Sequence, residues 1–258
     1  MGKSDVERIA AFEEHFAKAQ ATDVVDLQWG FAILQRDFPD TYSHNRMVVT
    51  SAAPAAEILS AADDLFGGGG VQHRFVSVVH NALGQDLRSD FVAAGYAHEP
   101  LVTMIHSGGE IEPPTHPVHP LSLHRLRPAI IRDWRIEMPD ATDEVLRQLA
   151  DRTALYARGA DVTLLAAFDG PEIAARGDLY VDLVHGVAQF ENLFTHPDFR
   201  GRGYGTSLVR EALRCSRSAG CELSFLEADL HGWPKEWYNR LGYAEARRTH
   251  NFTRVPSK

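Results

Sequence analysis

The chain contains 258 residues, of which 44% are apolar and 24% charged, and its formal charge is −9. This length predicts one or two domains, the apolar content excludes an intrinsically disordered chain, and no apolar run approaches the ~18 residues of a membrane span. The scattered basic residues argue against nucleic acid as a partner, and two cysteines are too few for a disulfide framework, so we expect a soluble cytoplasmic protein.

In the first half, the spacing of apolar residues predicts a mixture of helices and strands. Helices are predicted over residues 6–19, from about residue 54 to a stop at Gly67–Gly70, and near 87–94. Strands are predicted at 31–34, 47–49, 75–79 and 101–105. A segment rich in proline and glycine, residues 107–120, then interrupts the pattern, because neither residue type supports a regular backbone ladder.

The second half begins with a predicted strand over 125–131 and a predicted helix over 140–156. Strands at 162–168, 179–184 and 187–195 follow with short connections, a pattern typical of an antiparallel meander. A helix over 206–218, a strand over 222–227, a short helix over 234–242 and a strand after Tyr243 complete the predicted elements. The sequence thus predicts an α/β fold with a mixed, mostly antiparallel sheet flanked by helices. We expect one domain over 1–106, a linker over 107–120 and a second domain over 121–258.

Three alternate glycines, Gly201, Gly203 and Gly205, stand between the last strand of the meander and the following helix. Glycines let backbone N–H groups approach an oxyanion closely, and the N-terminus of the helix adds the positive end of its dipole. The spacing fits neither the dinucleotide fingerprint G-x-G-x-x-G nor the lysine-containing Walker loop. It fits R-x-x-G-x-G, with Arg200 as the arginine, and therefore predicts a phosphate-binding loop.

This strand, R-x-x-G-x-G loop and helix resemble the hallmark of the GNAT superfamily of acyl-CoA-dependent N-acyltransferases, and the resemblance covers roughly residues 121–255. It implies that the loop binds the pyrophosphate of acetyl-CoA, which serves as cosubstrate. The residues expected to contact this cosubstrate are Leu193, Phe194, Thr195, Arg200, Gly201, Arg202, Gly203, Tyr204, Gly205, Thr206 and His231.

A second motif extends the resemblance. Trp237, Tyr238, Gly242 and Tyr243 fall on the Phe/Trp-Tyr-x-x-x-Gly-Phe/Tyr element of the family, which implies that Tyr238 is the general acid. A tyrosine hydroxyl, with a pKa of about 10, can protonate a leaving CoA thiolate in a partly desolvated site, while backbone N–H groups near Phe194 hold the oxyanion. The alternative reading of Tyr238 is a core aromatic residue.

The attacking amine is mostly an ammonium at neutral pH, so a base must remove its proton. The family usually supplies acids from the strand before the loop. Here Gln189 and Glu191 are two residues apart and share a face unless a bulge intervenes, and Glu191 is the ionisable one. Asp229 and His231 are the alternative bases. Family members often carry Asn at the position of His231, so the role of this histidine stays open.

The end of the first half resembles the second motif, because Gly95 corresponds to Gly242 and Phe91 takes the position of Tyr238. Phenylalanine has no proton to donate, and residues 51–55 contain neither glycine nor arginine, so we expect no CoA binding there. We interpret this half as a degenerate GNAT-like domain that shapes the acceptor pocket. An unrelated α/β domain used for stability is the alternative.

Histidines crowd the linker region without cysteines or acidic residues at metal-ligand spacing, so we expect no metal site. They are His106, His116, His119 and His124. Serine hydrolase and zinc protease motifs do not occur. The resulting hypothesis is an N-acetyltransferase that moves acetyl to a primary amine by direct attack, through a tetrahedral intermediate. The acidic balance favours a cationic small-molecule acceptor. The alternatives are a non-catalytic acyl-CoA-binding sensor and a transferase of a larger acyl group.

Overall fold

A computed structural model describes residues 4–67 and 70–255 of the chain. Its helices are α1 (Asp5–Gln20), α2 (Ala55–Gly67), α3 (Asn81–Ala93), α4 (Leu123–Glu137), α5 (Asp143–Asp151), α6 (Tyr204–Ser218) and α7 (Trp233–Arg240). Its strands are β1 (Asp23–Leu27), β2 (Gly30–Leu34), β3 (Arg46–Val49), β4 (Arg74–Val78), β5 (Ala97–His106), β6 (Val118–Leu121), β7 (Asp161–Asp169), β8 (Glu172–Asp182), β9 (Val187–Thr195), β10 (Leu223–Asp229) and β11 (Tyr243–Arg254). Short 3₁₀ turns cover Tyr42–His44, Arg152–Arg158 and Pro197–Phe199.

Most predicted elements are confirmed, and β9 has the predicted bounds. The predicted helix stop at Gly67–Gly70 includes Gly68 and Gly69, which lie outside the described residues. Strand β1 was not predicted. Its burial alternates between intermediate and exposed residues, so it lacks the apolar run that marked its neighbours.

The predicted strand over 125–131 is wrong, because these residues belong to helix α4. Leu126 and Ile130 lie four residues apart and are buried on one face of this helix, in a core cluster with Ala150 and Leu164. Pro128 lies inside the helix and lacks the N–H donor that an interior position normally supplies. Burial of one face therefore decides the conformation against the local signals.

The predicted linker is also partly a strand, because β6 begins at Val118 and pairs antiparallel with β7. Pro120 lies opposite Leu165 in this pairing. Strand β6 is at the edge of the strand order, where the missing N–H of a proline is tolerated. The prediction that residues 107–120 form no sheet ladder is therefore wrong for the last three of them.

The two halves of the chain follow the same order of elements. Three antiparallel strands lead to a helix, a strand parallel to the third, a second helix and a final strand. In the first half these are β1, β2, β3, α2, β4, α3 and β5, and in the second half β7, β8, β9, α6, β10, α7 and β11. Gly95 and Gly242 take left-handed conformations, with φ of 83° and 90°, after the second helix of each half. The predicted α/β fold and the predicted similarity of the two halves are confirmed.

The chain divides into two compact units, and each is discontinuous in sequence. Unit 1 contains the described residues up to Phe16, together with Met104–Leu226 and Tyr238–Ala244. Unit 2 contains Ala17–Thr103, Glu227–Trp237 and the described residues from Glu245 onward.

The final strands explain this division, since β11 pairs with β4 and β5 neighbours β10. The compact units are therefore not the contiguous segments 1–106 and 121–258. That residues 1–106 and 121–258 fold or act as separate domains remains a prediction.

Unit 1 holds the strand order β10-β9-β8-β7-β6, in which the β10/β9 pair is parallel and the others are antiparallel. A parallel pair needs a crossover connection, and α6 supplies it. Ile9 and Phe12 of α1 pack against Tyr180 and Phe225 in one core of this unit. Helix α1 up to Phe16 is therefore part of the unit that contains the glycine loop.

Unit 2 holds the strand order β1-β2-β3-β4-β11, with β3 and β4 parallel. Its main core is built on Phe66, Val76, Phe91 and Phe252, each with no exposed surface. Phe91 packs on Tyr96 and on Phe252, with ring centroids 5.1 Å and 4.5 Å away. The residue in the position corresponding to Tyr238 is thus a core aromatic.

Candidate active site

The glycine loop connects β9 to α6 through a short 3₁₀ turn over Pro197–Phe199. Gly201 and Gly203 have φ of 76° and 90°, a region that side-chain-bearing residues rarely adopt. Gly203 is the N-cap of α6, and a Cβ placed on it would lie 3.6 Å from the His116 ring. That distance is ordinary van der Waals contact, so backbone conformation is what requires glycine here. The loop thus presents backbone groups at the positive end of a 15-residue helix.

The two arginines of the loop are exposed and each has a partner within the loop region. Arg200 donates from Nε to the carbonyl oxygen of Thr195 at 3.1 Å. The Nη1 atom of Arg202 lies 3.3 Å from Oδ2 of Asp169. An exposed ion pair and an exposed hydrogen bond of this kind contribute little stability, so both guanidinium groups can exchange these partners for a phosphate.

The remaining predicted loop residues differ in what they offer a ligand. The ring of Tyr204 is buried against Phe199 and His116, so its backbone N–H is what it can present. Gly205 and Thr206 occupy the first turn of α6, where the backbone N–H groups have no partner inside the helix. These positions suit backbone recognition of an anion.

Tyr238 and Glu191 are brought together within unit 1. The Tyr238 side chain is buried, with 7% of the residue exposed, and its ring makes an edge contact with Tyr243 at 5.8 Å. Burial raises the pKa of Tyr238 well above its ordinary value, and the Glu191 carboxylate raises it further. The phenol therefore stays protonated at neutral pH and can donate its proton.

Glu191 and Gln189 share one face of β9, as predicted, and Gln189 donates from Nε2 to Oε1 of Glu191 at 2.9 Å. A bulge follows directly, because Asp178 on β8 pairs with Glu191 whereas Arg176 pairs with Phe194. Asn192 and Leu193 therefore lie opposite Gly177 alone. Gln189 and Glu191 both precede the irregularity, so the bulge leaves their common face intact.

Asn192 holds the bulge in place with a φ of 54°, the one left-handed residue other than glycine in the described chain. Its Nδ2 donates to Oδ2 of Asp178 at 2.7 Å and to the hydroxyl oxygen of Tyr180 at 3.0 Å. Asp178 is buried, and burial raises the pKa of its carboxyl group. These polar residues were not predicted, because their roles depend on a β8–β9 register that the local sequence does not encode.

His231 and Asp229 lie in unit 2, in the connection between β10 and α7. Oδ1 of Asp229 accepts the backbone N–H groups of His231 at 2.7 Å and of Gly232 at 3.2 Å, so this carboxylate stabilises the turn. The His231 side chain is exposed. The role of His231 toward the cosubstrate remains a prediction.

His116 is a residue of the site that sequence reasoning did not assign. The centroid of its ring lies 4.1 Å from that of Tyr204, with the two ring planes tilted by 32°, and its Nε2 lies 2.8 Å from the carbonyl oxygen of Arg202. No local signal distinguishes His116 from the other histidines of a proline-rich segment. Within residues 4–67 and 70–255, no group of three or more His, Cys, Asp or Glu residues is arranged to hold a metal ion.

The fold and site together define an α/β protein that has, in one unit, a left-handed glycine loop at a helix N-terminus and a buried tyrosine close to a carboxylate. Residues 160–245 match the acetyltransferase (GNAT) domain. Residues 160–245 are therefore similar to the GNAT acetyltransferase domain. The matched segment contains the glycine loop, Glu191 and Tyr238.

Two curated relatives match parts of the chain. An uncharacterised N-acetyltransferase of Methanocaldococcus jannaschii is 37% identical over 60 residues, 23% of this chain and 26% of that protein. The uncharacterised N-acetyltransferase CgeE of Bacillus subtilis is 30% identical over 74 residues, 29% of each protein. The chain therefore aligns with less than a third of the length of either relative.

Solved structures resemble nearly the whole chain in fold. A conserved protein of unknown function from Staphylococcus epidermidis has a TM-score of 0.72 at 13% identity, covering 91% of this chain and 94% of that one. A GCN5-related N-acetyltransferase from Kribbella flavida has a TM-score of 0.67 at 16% identity, covering 99% and 98%. A tandem GNAT protein from the clavulanic acid biosynthesis pathway has a TM-score of 0.56 at 15% identity, covering 82% and 74%. At these identities the likeness concerns the fold, and it agrees with the repeated element order. None of the described helices is long and apolar enough to cross a membrane.

Proposed function

We propose that this chain transfers the acetyl group of acetyl-CoA to a primary amine by direct attack, with no acetylated enzyme intermediate. The observation that carries the proposal is the buried Tyr238 hydroxyl, kept protonated by burial and by the nearby Glu191 carboxylate, in the same unit as the glycine loop. A proton donor close to a carboxylate suits this reaction, in which the amine nitrogen loses two protons and the leaving thiolate gains one.

The loop is proposed to bind the pyrophosphate of acetyl-CoA. Its left-handed glycines and the free N–H groups of the first turn of α6 favour an anion, and Arg200 and Arg202 supply exchangeable positive charge. Binding energy from this remote part of the cosubstrate fixes the position of the thioester.

The chemical step then needs only groups of this chain and the two substrates. Glu191 accepts a proton from the ammonium, directly or through a water molecule, which frees the lone pair for attack. The C–N bond forms, the carbonyl oxygen becomes an oxyanion, and backbone N–H groups near Leu193 and Phe194 are proposed to stabilise it. The oxyanion re-forms the C=O bond, the C–S bond breaks with its electron pair on sulfur, and Tyr238 donates its proton to that thiolate. The excess proton on the new amide nitrogen then passes to the Tyr238 phenolate, directly or through a water molecule, and restores the phenol.

The test is thiol release from acetyl-CoA measured against a panel of amines, with Gly203→Glu as the variant that blocks the loop. We expect particular amines, cationic small molecules first in view of the −9 formal charge, to give release that this variant abolishes. CoA binding without turnover of any amine would overturn the enzymatic proposal in favour of a sensor. Absence of CoA binding in the folded wild-type protein would overturn both.

The first half of the chain is proposed to lack a CoA site of its own, because Phe91 is a core residue and residues 51–55 contain no glycine or arginine. Calorimetric titration should therefore give one CoA per chain, and a stoichiometry of two would contradict the proposal. Deleting the first half is not a suitable test, because it removes Ile9 and Phe12 from the core of unit 1.

A further inference from the structure

The segment before β6 lies along α6 and ends at the glycine loop. We call residues 109–116 the strap. Arg217 donates to the carbonyl oxygen of Gly109, and Arg210 forms an ion pair with Glu112. At the end nearest the loop, the hydroxyl of Thr115 lies 3.1 Å from that of Ser207. The strap is therefore attached at successive turns of the helix whose N-terminus completes the loop.

His116 attaches the strap to the loop itself. Its Nε2 lies 2.8 Å from the carbonyl oxygen of Arg202, and its backbone N–H donates to the Ser207 hydroxyl at 3.1 Å. A carbonyl oxygen accepts, so Nε2 is the atom that carries the hydrogen. Protonation of the ring adds a hydrogen at Nδ1 and leaves the Nε2 donor unchanged, so this contact does not depend on the charge of the ring.

These contacts fix the direction of two adjacent peptide groups. The described chain contains no cis peptide bond, so the C=O and N–H of each peptide point in opposite directions. With the Arg202 carbonyl directed at His116, the N–H of Gly203 points away from the strap. The Gly203 carbonyl accepts from both the backbone N–H and the hydroxyl of Ser207, at 3.0 Å and 3.1 Å, so the N–H of Tyr204 points out of the helix end.

We propose that His116 is a positioning residue for the phosphate loop, which it holds with the N–H groups of Gly203 and Tyr204 presented to the pyrophosphate of the cosubstrate. This inference rests on the proposed function, because it deepens the same site. Glycines at 201 and 203 give the loop many alternative conformations, and the contact from His116 selects one of them before the ligand arrives.

The test compares His116→Leu, which keeps the volume but removes the donor, with His116→Gln, whose side-chain amide can restore a donor to the Arg202 carbonyl. His119→Leu is the matched control, since His119 is an exposed residue of the neighbouring β6. We expect His116→Leu to raise the Kd of CoA and the KM of acetyl-CoA about fivefold to tenfold, the effect of one lost hydrogen bond, with kcat within about twofold. His116→Gln and the control should remain within about twofold of wild type.

A truncated cosubstrate locates the effect. S-acetylpantetheine lacks the pyrophosphate, so His116→Leu should turn it over as well as the wild type does. The proposal would be overturned if His116→Leu lowered kcat/KM equally for both cosubstrates, or if it left the affinity for CoA unchanged. Failure of His116→Gln to restore that affinity would also overturn it. If His116→Leu does not fold, Ser207→Ala removes the other attachment and should also weaken CoA binding, and unchanged binding would overturn it.

Hydrogen exchange separates this inference from the proposed function. In the ligand-free protein, the amides of residues 200–207 should exchange faster in His116→Leu than in wild type, and equal rates would overturn the positioning role. Failure of the wild-type protein to bind CoA, with the exchange difference intact, would instead overturn the proposed function.

Discussion

Replacing Tyr238 with phenylalanine is the sharpest perturbation of the proposed chemistry. The substitution removes one hydroxyl from a side chain that is 93% buried and keeps the ring contact with Tyr243, so we expect the fold to survive. General acid catalysis contributes about 10²- to 10⁴-fold, or about 3–5 kcal/mol of barrier. A thiol has a pKa of about 8.5 and its thiolate is a fair leaving group without help, so we expect the lower end, a loss of about 10²-fold in kcat.

The assay is thiol release with a saturating amine over pH 6.5–9.5, and Tyr243→Phe is the matched control. Tyr243 is also buried, and burial raises the pKa of its hydroxyl. The control therefore removes the same group, a buried phenol hydroxyl, from the ring next to Tyr238. We expect the control to keep kcat within about threefold, since general acid catalysis requires only one donor at the leaving group.

The pH dependence tests the electrostatic part of the reasoning. Because burial and Glu191 raise the pKa of Tyr238 above its usual value of about 10, the phenol keeps its proton throughout this range. The ratio of wild-type to Tyr238→Phe rates should therefore stay constant from pH 6.5 to 9.5. Full activity of Tyr238→Phe at every pH, or an equal loss in the Tyr243→Phe control, would refute the assignment.

Three further substitutions test the rest of the site. Glu191→Gln keeps an acceptor for the Gln189 amide but cannot take a proton, so kcat/KM for the amine should fall by about 10²-fold or more with CoA affinity unchanged; a fall below threefold would exclude Glu191 as the base. Gly203→Ala forces a side chain into a left-handed conformation that costs about 1–2 kcal/mol, so titration should give a Kd for CoA raised about tenfold, and wild-type affinity would contradict the loop geometry. Asn192→Ala removes hydrogen bonds to Asp178 and Tyr180, so the free energy of unfolding from urea titration should fall by about 2–3 kcal/mol. An unchanged urea midpoint would show that the bulge does not need these hydrogen bonds.

The glycine loop and the common strand face of Gln189 and Glu191 could be predicted from the sequence because their signals are local. A left-handed φ favours glycine wherever it occurs, so Gly201 and Gly203 before an amphipathic helix already predict a loop with a left-handed backbone. The period of two along a strand places Gln189 and Glu191 on one face, and the structure joins them by a hydrogen bond. The similar endings of the two halves likewise predicted a repeat, which the element order confirms.

What the sequence could not provide depends on contacts between residues distant in the chain. Helix α4 was predicted as a strand because its conformation is decided by burial of Leu126 and Ile130 in a core with residues far along the chain. The last strand of the second half, β11, pairs with β4 of the first half, and the last strand of the first half, β5, neighbours β10 of the second half. No local sequence signal predicts this exchange, since the pattern of either strand would suit either half.

The strap shows the same division most clearly. His116 is one histidine among several in a proline-rich segment, and its meaning comes from a carbonyl oxygen 86 residues away that lies 2.8 Å from its Nε2. Residue type and spacing fix the conformations available to a short segment, and they determined the chemistry of the loop. Tertiary packing selects among those conformations through contacts whose partners the spacing does not specify, and it decided which residues hold that loop in place.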